Sequence, residues 1–405
     1  TPDGALAEIP FPIDVNLQGV FGDKLIALMR SDWSPTEDVT YPAGSLIAMD
    51  LASSISNSAA TEVSVILDPN VNDELDAISA VAMTRDSIYI SALKDVSGKL
   101  LRVRSGAGAE PAWSVATIEL PDNGAIRLVS ADDYSDTLMV SYQSFLTPST
   151  LYLVNGDEQP EAIKALAPQF DAEPYLVEQQ FVASADGTSI PYYIVRAADA
   201  PMDGSTPTRL TAYGGFELSR TPAYVSAQSQ VWLQQGGAYV LANIRGGGEY
   251  GPQWHQTALL ENRQRVFDDF IAVAEDIIER GLTSPAHLGI TGGSNGGLLV
   301  TAAMVQRPDL YNAIISAVPL IDMLRYHLLL AGASWTAEYG NPDIPAHYDF
   351  ISEYSPYQNV RADANYPEIF LWTNPKDDRV HPGHARKMAA RMLEQGHELI
   401  YFENA

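Results

Sequence analysis

Apolar and polar residues alternate with a period of two along the first 170 residues of the chain, a pattern that predicts β-strands. The runs form a three-strand theme that recurs about every 50 to 60 residues, close to the repeat of β-propeller blades. The predicted strands span residues 23–28, 44–49, 62–67, 86–90, 98–103, 113–118, 136–140 and 149–154. A β-sandwich would show the same alternation. Because a propeller needs about four to eight blades to close, this region is either another β fold or part of a propeller.

The pattern changes near residues 170–174. A hairpin is predicted around the turn at Asp186-Gly187, and strands then alternate with helices. The predicted strands span residues 175–182, 190–195, 208–213, 238–244, 287–291, 313–317, 368–372 and 398–402, and the helices span 266–280, 295–306 and 382–395. This alternation predicts a parallel sheet covered by helices. We therefore divide the chain into an all-β part, residues 1–172, and an α/β part, residues 173–405.

A glycine-flanked serine joins a predicted strand to a predicted helix. The segment Gly292-Gly293-Ser294-Asn295-Gly296 fits the pattern G-x-S-x-G, which in a strand–turn–helix context predicts a nucleophile elbow. Gly292 and Gly296 would then occupy positions where a Cβ clashes, and the helix N-terminus would offer N–H groups to an oxyanion. An ordinary glycine-rich β–α loop is the alternative, because the pentapeptide alone is weak evidence.

A serine nucleophile needs a base, and the base needs a carboxylate that orients it. Hydrolases of this build place these residues in the chain order Ser, Asp, His. The loop after the strand 368–372 contains Asp377 and Asp378, and either could serve. Ligands of parallel sheets bind at the carboxyl ends of the strands, so Ser294, Asp377 and Tyr213 are all predicted to lie at one edge.

The expected histidine should follow the strand 398–402, but no histidine comes after His397, which begins that strand. His381 and His384 flank the aspartate loop and are expected to start a helix or to pack in the core. We therefore expect the base to lie past Ala405, in a chain longer than these 405 residues.

A second glycine-rich segment, residues 246–251, fits G-x-G-x-x-G and follows a strand. In a dinucleotide-binding site, a helix would begin at this point. Because Pro252 follows and the next helix is predicted more than ten residues later, we interpret the segment as a structural loop.

Composition narrows the possible partners. Asp and Glu number 51 against 24 Lys and Arg, and a net charge of −27 argues against nucleic acid and anionic membranes. No apolar run reaches the length of a membrane span, and the absence of cysteine excludes disulfides and thiolate metal sites. No signal peptide is visible at Thr1. We expect a soluble protein of the periplasm or the cytoplasm.

Several segments together resemble one family. They are residues 212–216 (AYGGF), 243–251 (NIRGGGEYG), 292–299 (GGSNGGLL), 335–340 (WTAEYG) and 377–380 (DDRV). From about residue 170 onward the chain resembles the prolyl oligopeptidases, serine peptidases with an α/β-hydrolase domain capped by a seven-bladed β-propeller. The β-rich first part resembles the later blades of that propeller more loosely, so we expect a chain that is truncated at both ends.

The resemblance implies a role for each matching residue. Ser294 would be the nucleophile and Asp377 the catalytic aspartate, while the Tyr213 hydroxyl and the Asn295 N–H would bind the oxyanion. The residues implied in an apolar pocket for proline are Phe216, Leu320, Trp335, Tyr339 and Val380, with Trp335 stacking on the ring, and Arg379 would hold a carbonyl of the bound peptide. From spacing alone the aromatic residues would be interpreted as core.

The sequence thus predicts a serine endopeptidase that cleaves short peptides after proline, acts without a metal or organic cofactor, and is a monomer. One alternative keeps the fold and changes the substrate, as an aminopeptidase, dipeptidyl peptidase or esterase. The other is a protein that lacks a base and binds peptides without cutting them.

Overall fold

The computed structural model describes residues 11–52, 62–106 and 113–404, which form two compact units. The first unit extends to Pro168 and includes Thr221–Tyr224 and Glu249–Gln253, and the second contains the remaining residues from Gln169 onward. The change of sequence pattern at residues 170–174 lies close to the first boundary. The two short segments that group with the first unit have no counterpart in the division made from the sequence.

The described part of the first unit is built from antiparallel four-stranded sheets. Its strands are β1 (Asn16–Phe21), β2 (Lys24–Leu28), β3 (Trp33–Thr36), β4 (Val39–Tyr41), β5 (Leu46–Asp50), β6 (Val63–Leu67), β7 (Ala77–Met83), β8 (Ile88–Lys94), β9 (Ser97–Ser105), β10 (Trp113–Ile118), β11 (Ala125–Ala131), β12 (Thr137–Gln143), β13 (Thr150–Asn155) and β14 (Glu161–Ala165). The sheet orders are β1-β2-β5-β6, β10-β9-β8-β7 and β11-β12-β13-β14, and β3 pairs only with β4.

Successive sheets of this unit pack face to face. Ile88 and Ile90 of β8 share a buried cluster with Ile26 and Leu46 of the first sheet. Tyr89, which points to the opposite face of β8, packs with Leu138 and other residues of the third sheet. The middle sheet is therefore covered on both faces, which excludes a simple two-sheet sandwich.

The three-strand theme predicted from the sequence is one strand short in each of the first two sheets and two strands short in the third, where β14 was not predicted either. The first strands, β1, β7 and β11, were not predicted, and the register of each shifts within the strand. The shifts fall between Leu17 and Gly19, between Ile78 and Ala80, and between Leu128 and Ser130. Such a bulge changes the phase of the in–out alternation, which removes the signal from which a strand is predicted.

The second unit contains an eight-stranded sheet. Its strands are β15 (Tyr175–Ala183), β16 (Ser189–Ala197), β17 (Thr208–Thr211), β18 (Ala238–Ala242), β19 (Leu288–Gly293), β20 (Ala313–Ala317), β21 (Glu368–Thr373) and β22 (Leu399–Glu403). The order is β15-β16-β18-β17-β19-β20-β21-β22, and every pair from β18 to β22 is parallel. The predicted mostly parallel sheet is confirmed, with each strand within two residues of its predicted start.

Helices connect these strands. They are α1 (Ala227–Gln234), α2 (Pro252–Gln256), α3 (Gln264–Glu279), α4 (Asn295–Gln306), α5 (Thr336–Tyr339), α6 (Pro345–Tyr354), α7 (Pro356–Asn359) and α8 (Gly383–Glu394). In α3 the buried residues Val266, Phe270, Val273 and Ile277 recur every three or four positions, as expected for a helix with one face on the core. Helix α4 is buried along nearly its whole length.

The short helices were not predicted from the sequence. Helix α1 has little apolar contrast between its faces, and α2 begins at Pro252, directly after the glycine-rich segment 246–251, where no helix was predicted. A five-residue helix is too short to show a 3.6-residue period. No helix of the described ranges is long and apolar enough to cross a membrane.

Candidate active site

Ser294 lies in a tight turn between β19 and α4. Its backbone has φ 57° and ψ −118°, a conformation that non-glycine residues rarely adopt. A Cβ on Gly292 would lie 2.1 Å from the carbonyl oxygen of Gly296, and a Cβ on Gly296 would lie 3.2 Å from the carbonyl oxygen of Ala212. The turn therefore requires glycine at position 292 and is crowded at position 296, as the elbow pattern predicts.

Hydrogen bonds on both sides hold this strained turn. The Ser294 N–H donates to Ala317 O of β20 at 2.9 Å, and the Ser294 carbonyl accepts from the N–H groups of Gly297 and Leu298 at 3.0 and 3.1 Å. A backbone in a sparsely populated region costs about 1 to 3 kcal/mol and persists only where its surroundings fix it. The elbow is thus a rigid feature anchored to the neighbouring strand and to the first turn of α4.

Asp377 lies in the loop after β21, two strands away from β19. Neighbouring strands lie about 4.8 Å apart, so the strands that precede Ser294 and Asp377 lie about 10 Å apart, a separation that leaves room for an imidazole ring between the two side chains. Asp377 Oδ1 accepts the N–H groups of Arg379 and Val380, both at 2.9 Å. Asp377 is half-buried whereas Asp378 is exposed, so the geometry favours Asp377 of the two carboxylates.

Tyr213 lies two residues beyond β17, which is the neighbour of β19 in the sheet. The Asn295 side chain joins this segment to the elbow, because its Nδ2 donates to Tyr213 O at 2.5 Å. Asn295 is the first residue of α4, and the first N–H groups of a helix have no acceptor within the helix. The two residues expected to supply the oxyanion donors are therefore in contact at the carboxyl edge of the sheet, through the Asn295 side chain and the Tyr213 backbone carbonyl.

The apolar residues expected to bind proline belong to one cluster. Leu320, Trp335, Tyr339 and Val380 are buried in the core of the second unit, and Phe216 packs against them. The rings of Phe216 and Tyr339 meet edge to face, with centroids 5.8 Å apart and planes at 85°. Arg379, by contrast, is exposed on the Asp377 loop.

Comparison with known proteins shows that both units of the chain are similar to parts of one protein family. Residues 223–404 match the sequence profile described as the Prolyl oligopeptidase family, and residues 29–165 match the profile of its N-terminal beta-propeller domain. The chain belongs to the prolyl oligopeptidase family. The fold is therefore an α/β-hydrolase domain with part of a β-propeller, and the sheets of the first unit are propeller blades.

Relatives of this prolyl oligopeptidase family member include proteins from several bacteria. An uncharacterized peptidase of Sinorhizobium fredii is 43% identical over 404 residues, which is 100% of this chain and 55% of that protein. A prolyl endopeptidase of Elizabethkingia miricola is 39% identical over 280 residues, 69% of this chain and 40% of that protein. The solved structure of a post-proline cleaving enzyme from Rickettsia typhi matches with a TM-score of 0.90 at 34% identity, covering 99% of this chain and 57% of that one. The chain spans about half the length of the curated relatives it matches.

Beneath the candidate site lies a buried polar group that the sequence analysis did not identify. We call it the Arg263 cluster; its members are Arg263, Glu338, His255, Asn295 and Tyr339. Arg263 is 1% exposed, and its guanidinium donates to Glu338 Oε1 at 2.9 Å and to Asn295 Oδ1. His255 Nε2 lies 2.7 Å from Glu338 Oε2, and the Tyr339 hydroxyl donates to Asn295 Oδ1 at 2.7 Å.

No local signal in the sequence could have revealed this cluster. Arg263 and Glu338 lie 75 positions apart, on the residue before α3 and in α5. Burial by itself raises the pKa of the Glu338 carboxyl, but the hydrogen bond with His255, the Arg263 guanidinium and the N–H of Phe216 outweigh it, so the pKa lies below its usual range. The carboxylate therefore stays ionised and paired in the folded protein.

The histidines near the aspartate loop have structural contacts. His381 Nδ1 accepts the N–H of Gly383 at 2.9 Å, at the start of α8. His384 is 1% exposed, and its Nδ1 accepts the N–H groups of Ile321 and Asp322 at 3.3 and 3.1 Å. His397 precedes β22 at its amino end, where its Nε2 lies 2.9 Å from Arg361 O. A triad histidine instead donates from Nδ1 to the aspartate, which His381 and His384 cannot do while Nδ1 accepts.

The buried His384 predicts a pH-dependent stability. Burial lowers the pKa of His384 to about 4, and the nearby Asp322 carboxylate offsets this only in part. Below pH 6.5 the unfolded chain binds a proton that the folded chain does not, so the free energy of unfolding falls as the pH drops from about 6.5 to about 4, by about 3 kcal/mol in total. Urea unfolding at pH 7, 5.5 and 4 measures this slope.

The variant His384→Asn isolates this effect, because an amide oxygen can still accept the two N–H groups but does not titrate in this range. We expect the difference in stability between wild type and variant to shrink as the pH falls. His397→Asn, the same substitution at a half-buried histidine, serves as the matched control. Parallel pH profiles for wild type and His384→Asn would contradict the prediction.

Proposed function

We propose that the protein is a serine endopeptidase that hydrolyses short peptides on the carboxyl side of proline. The observation that carries the proposal is the strained elbow of Ser294, which presents this residue at the carboxyl edge of the sheet, two strands from the half-buried Asp377. Membership of the prolyl oligopeptidase family supports it. Related proteins named prolyl endopeptidase and a solved structure named as a post-proline cleaving enzyme support the choice of proline.

In the proposed reaction the Ser294 hydroxyl oxygen attacks the carbonyl carbon of the proline residue while a histidine takes the hydroxyl proton. The tetrahedral oxyanion receives hydrogen bonds from the Asn295 N–H and the Tyr213 hydroxyl, each contributing about 3 kcal/mol. The intermediate then breaks its C–N bond as the histidine returns the proton to the leaving amine. Water hydrolyses the acyl-enzyme in the second half of the reaction, and Asp377 holds the imidazole in the required tautomer throughout.

The histidine of this reaction is proposed to lie outside residues 1–405. The contacts of His381, His384 and His397 support this, because the first two use Nδ1 as an acceptor and the third lies at the amino end of β22. His255 is paired with Glu338 in the Arg263 cluster. Relatives about twice as long as this chain leave room for such a residue.

Labelling at Ser294 tests the hydrolase part of the proposal. In the intact natural protein, a serine-directed phosphonate should modify Ser294 because the elbow exposes its hydroxyl to the base and to the oxyanion donors. Mass spectrometry of tryptic peptides identifies the modified residue. A folded protein whose Ser294 stays unlabelled would contradict the proposal.

The apolar cluster predicts the residue that the enzyme prefers. Proline has no polar side-chain atoms, and the half-buried ring of Phe216, which packs edge to face on the buried Tyr339, is an aromatic surface that suits its ring. We expect a Gly-Pro reporter peptide to be cleaved at least about tenfold faster than its Gly-Leu counterpart, measured as kcat/KM. Equal rates would remove the preference for proline while leaving the hydrolase.

A further inference from the structure

We propose that Arg263 is a positioning residue that holds the oxyanion donor and the proline pocket in register with Ser294. The inference rests on the proposed function, since it assigns a role in that same reaction. Arg263 does not need to touch the substrate. It would act through its two buried partners, Asn295 and Glu338, each of which holds a different part of the site.

The first arm runs from Arg263 to the oxyanion donor. Asn295 Oδ1 accepts from the guanidinium and from the Tyr339 hydroxyl, which leaves the Asn295 amide group a single orientation. In that orientation Nδ2 donates to the backbone carbonyl of Tyr213 at 2.5 Å. The position of Tyr213 relative to the elbow therefore depends on a side chain that Arg263 fixes.

The second arm runs from Arg263 to the pocket. Glu338 Oε1 accepts both the guanidinium and the backbone N–H of Phe216, the latter at 3.0 Å. Phe216 and the next residue, Glu217, have φ of 57° and 56°, a left-handed backbone that costs a bulky residue about 1 to 3 kcal/mol. Glu338 thus holds a strained segment in place, and the aromatic ring of Phe216 reaches Tyr339 as a result.

The geometry of the cluster suits arginine. The guanidinium is planar, donates in two divergent directions, and lies 5.0 Å above the centre of the Tyr339 ring. A buried carboxylate such as Glu338, 4% exposed, is costly unless it is paired. Removal of the guanidinium would leave Glu338 without its cation and Asn295 without one of its two donors, so both arms would relax together.

Gly215 shows how little space separates the two arms. A Cβ at this position would lie 2.7 Å from Asn295 Nδ2 and 3.1 Å from Glu338 Oε1. Contacts this short require a neighbour to move, and the hydrogen bonds of the cluster oppose that movement. The variant Gly215→Ala therefore disturbs both arms while keeping every charged group of the cluster.

The experiment compares Arg263→Met with Arg209→Met in the intact natural protein. Arg209 lies on β17 of the eight-stranded sheet, and its guanidinium carbon lies 5.1 Å from the centre of the Tyr239 ring. The two substitutions therefore remove equivalent cation–π contacts. For each folded variant, the readouts are the rate of phosphonate labelling at Ser294 and the ratio of kcat/KM for Gly-Pro and Gly-Leu reporters. Arg263→Met should lower the labelling rate on the order of a hundredfold and bring the ratio toward one. Arg209→Met should lower the melting temperature only.

Two further variants separate positioning from stability. Arg263→Lys keeps a cation beside Glu338 but does not have the planar guanidinium that reaches both Glu338 and Asn295, so it should restore stability and only part of the labelling rate. Gly215→Ala should lower the labelling rate although no charge is lost. If Arg263→Met does not fold, Gly215→Ala decides. Wild-type labelling rates and reporter ratios in both Gly215→Ala and folded Arg263→Met would overturn this inference and leave the proposed function unaffected. An unlabelled wild type would instead overturn the proposed function, and the inference with it.

Discussion

Replacement of Ser294 by alanine should lower the rate of peptide hydrolysis by the intact natural protein by about a millionfold, with little change in its melting temperature. The hydroxyl is the atom that forms the covalent bond, and the rest of the site cannot replace it. The backbone contacts that hold the elbow involve only the N–H and the carbonyl of Ser294 and are available to alanine as well. Single-turnover kinetics with a Gly-Pro reporter measures the loss.

The neighbouring strand offers a matched control for this experiment. Ser316 on β20 is buried, and its hydroxyl lies 2.9 Å from the Thr301 hydroxyl and 3.2 Å from Gly297 O. Ser316→Ala removes an equivalent hydroxyl and should reduce stability by about 1 kcal/mol while leaving hydrolysis nearly unchanged. Activity that survives in Ser294→Ala but not in Ser316→Ala would refute the assignment of the nucleophile.

The elbow could be predicted from the sequence because its determinants are local. Gly292 must lack a Cβ since the backbone of Gly296 lies 2.1 Å from that position, and the strand and helix on either side have the periods typical of those elements. The same is true of the long helix α3 and of the strands β19 to β22, whose apolar patterns are uninterrupted. Where consecutive residues carry the whole signal, a single sequence is sufficient.

Other parts of the structure depend on contacts between distant residues. A bulge in each of β1, β7 and β11 breaks the alternation that would mark a strand, and the pairing partner that compensates for it is not visible in the strand itself. The Arg263 cluster joins the residue before α3 to residues of α2, α4 and α5, which are far apart in the chain. Its members resemble ordinary charged and polar positions when they are considered one at a time.

The choice between Asp377 and Asp378 could be predicted only in part, because it depends on both local sequence and contacts in the folded loop. The sequence placed both in a loop at the correct edge of the sheet and left the choice between them to the family resemblance. The structure adds that Asp377 is half-buried and accepts two N–H groups of its own loop, whereas Asp378 is exposed. A carboxylate that orients a base must itself be held in place, so these contacts favour Asp377 on physical grounds.

Asp377→Asn should therefore lower kcat about ten-thousandfold in the intact natural protein. The amide oxygen of asparagine can still accept the N–H groups of Arg379 and Val380, so the loop should keep its shape. The position of Asp377 Oδ2 would then carry an NH₂ group, which cannot accept a hydrogen bond from the imidazole Nδ1–H. The histidine would therefore be stabilised in the wrong tautomer. Pre-steady-state cleavage of a Gly-Pro reporter measures the effect on the chemical step.

Asp378→Asn is the matched control, because it makes the same chemical change one residue away. Asp378 is exposed, and surface substitutions of this kind change free energies by less than about 0.5 kcal/mol, so its kcat should stay within about twofold of wild type. Phosphonate labelling of Ser294 should slow in Asp377→Asn and stay unchanged in Asp378→Asn, since labelling also needs the base. The reverse result would transfer the role to Asp378, and equal, small effects would mean that neither carboxylate orients the base.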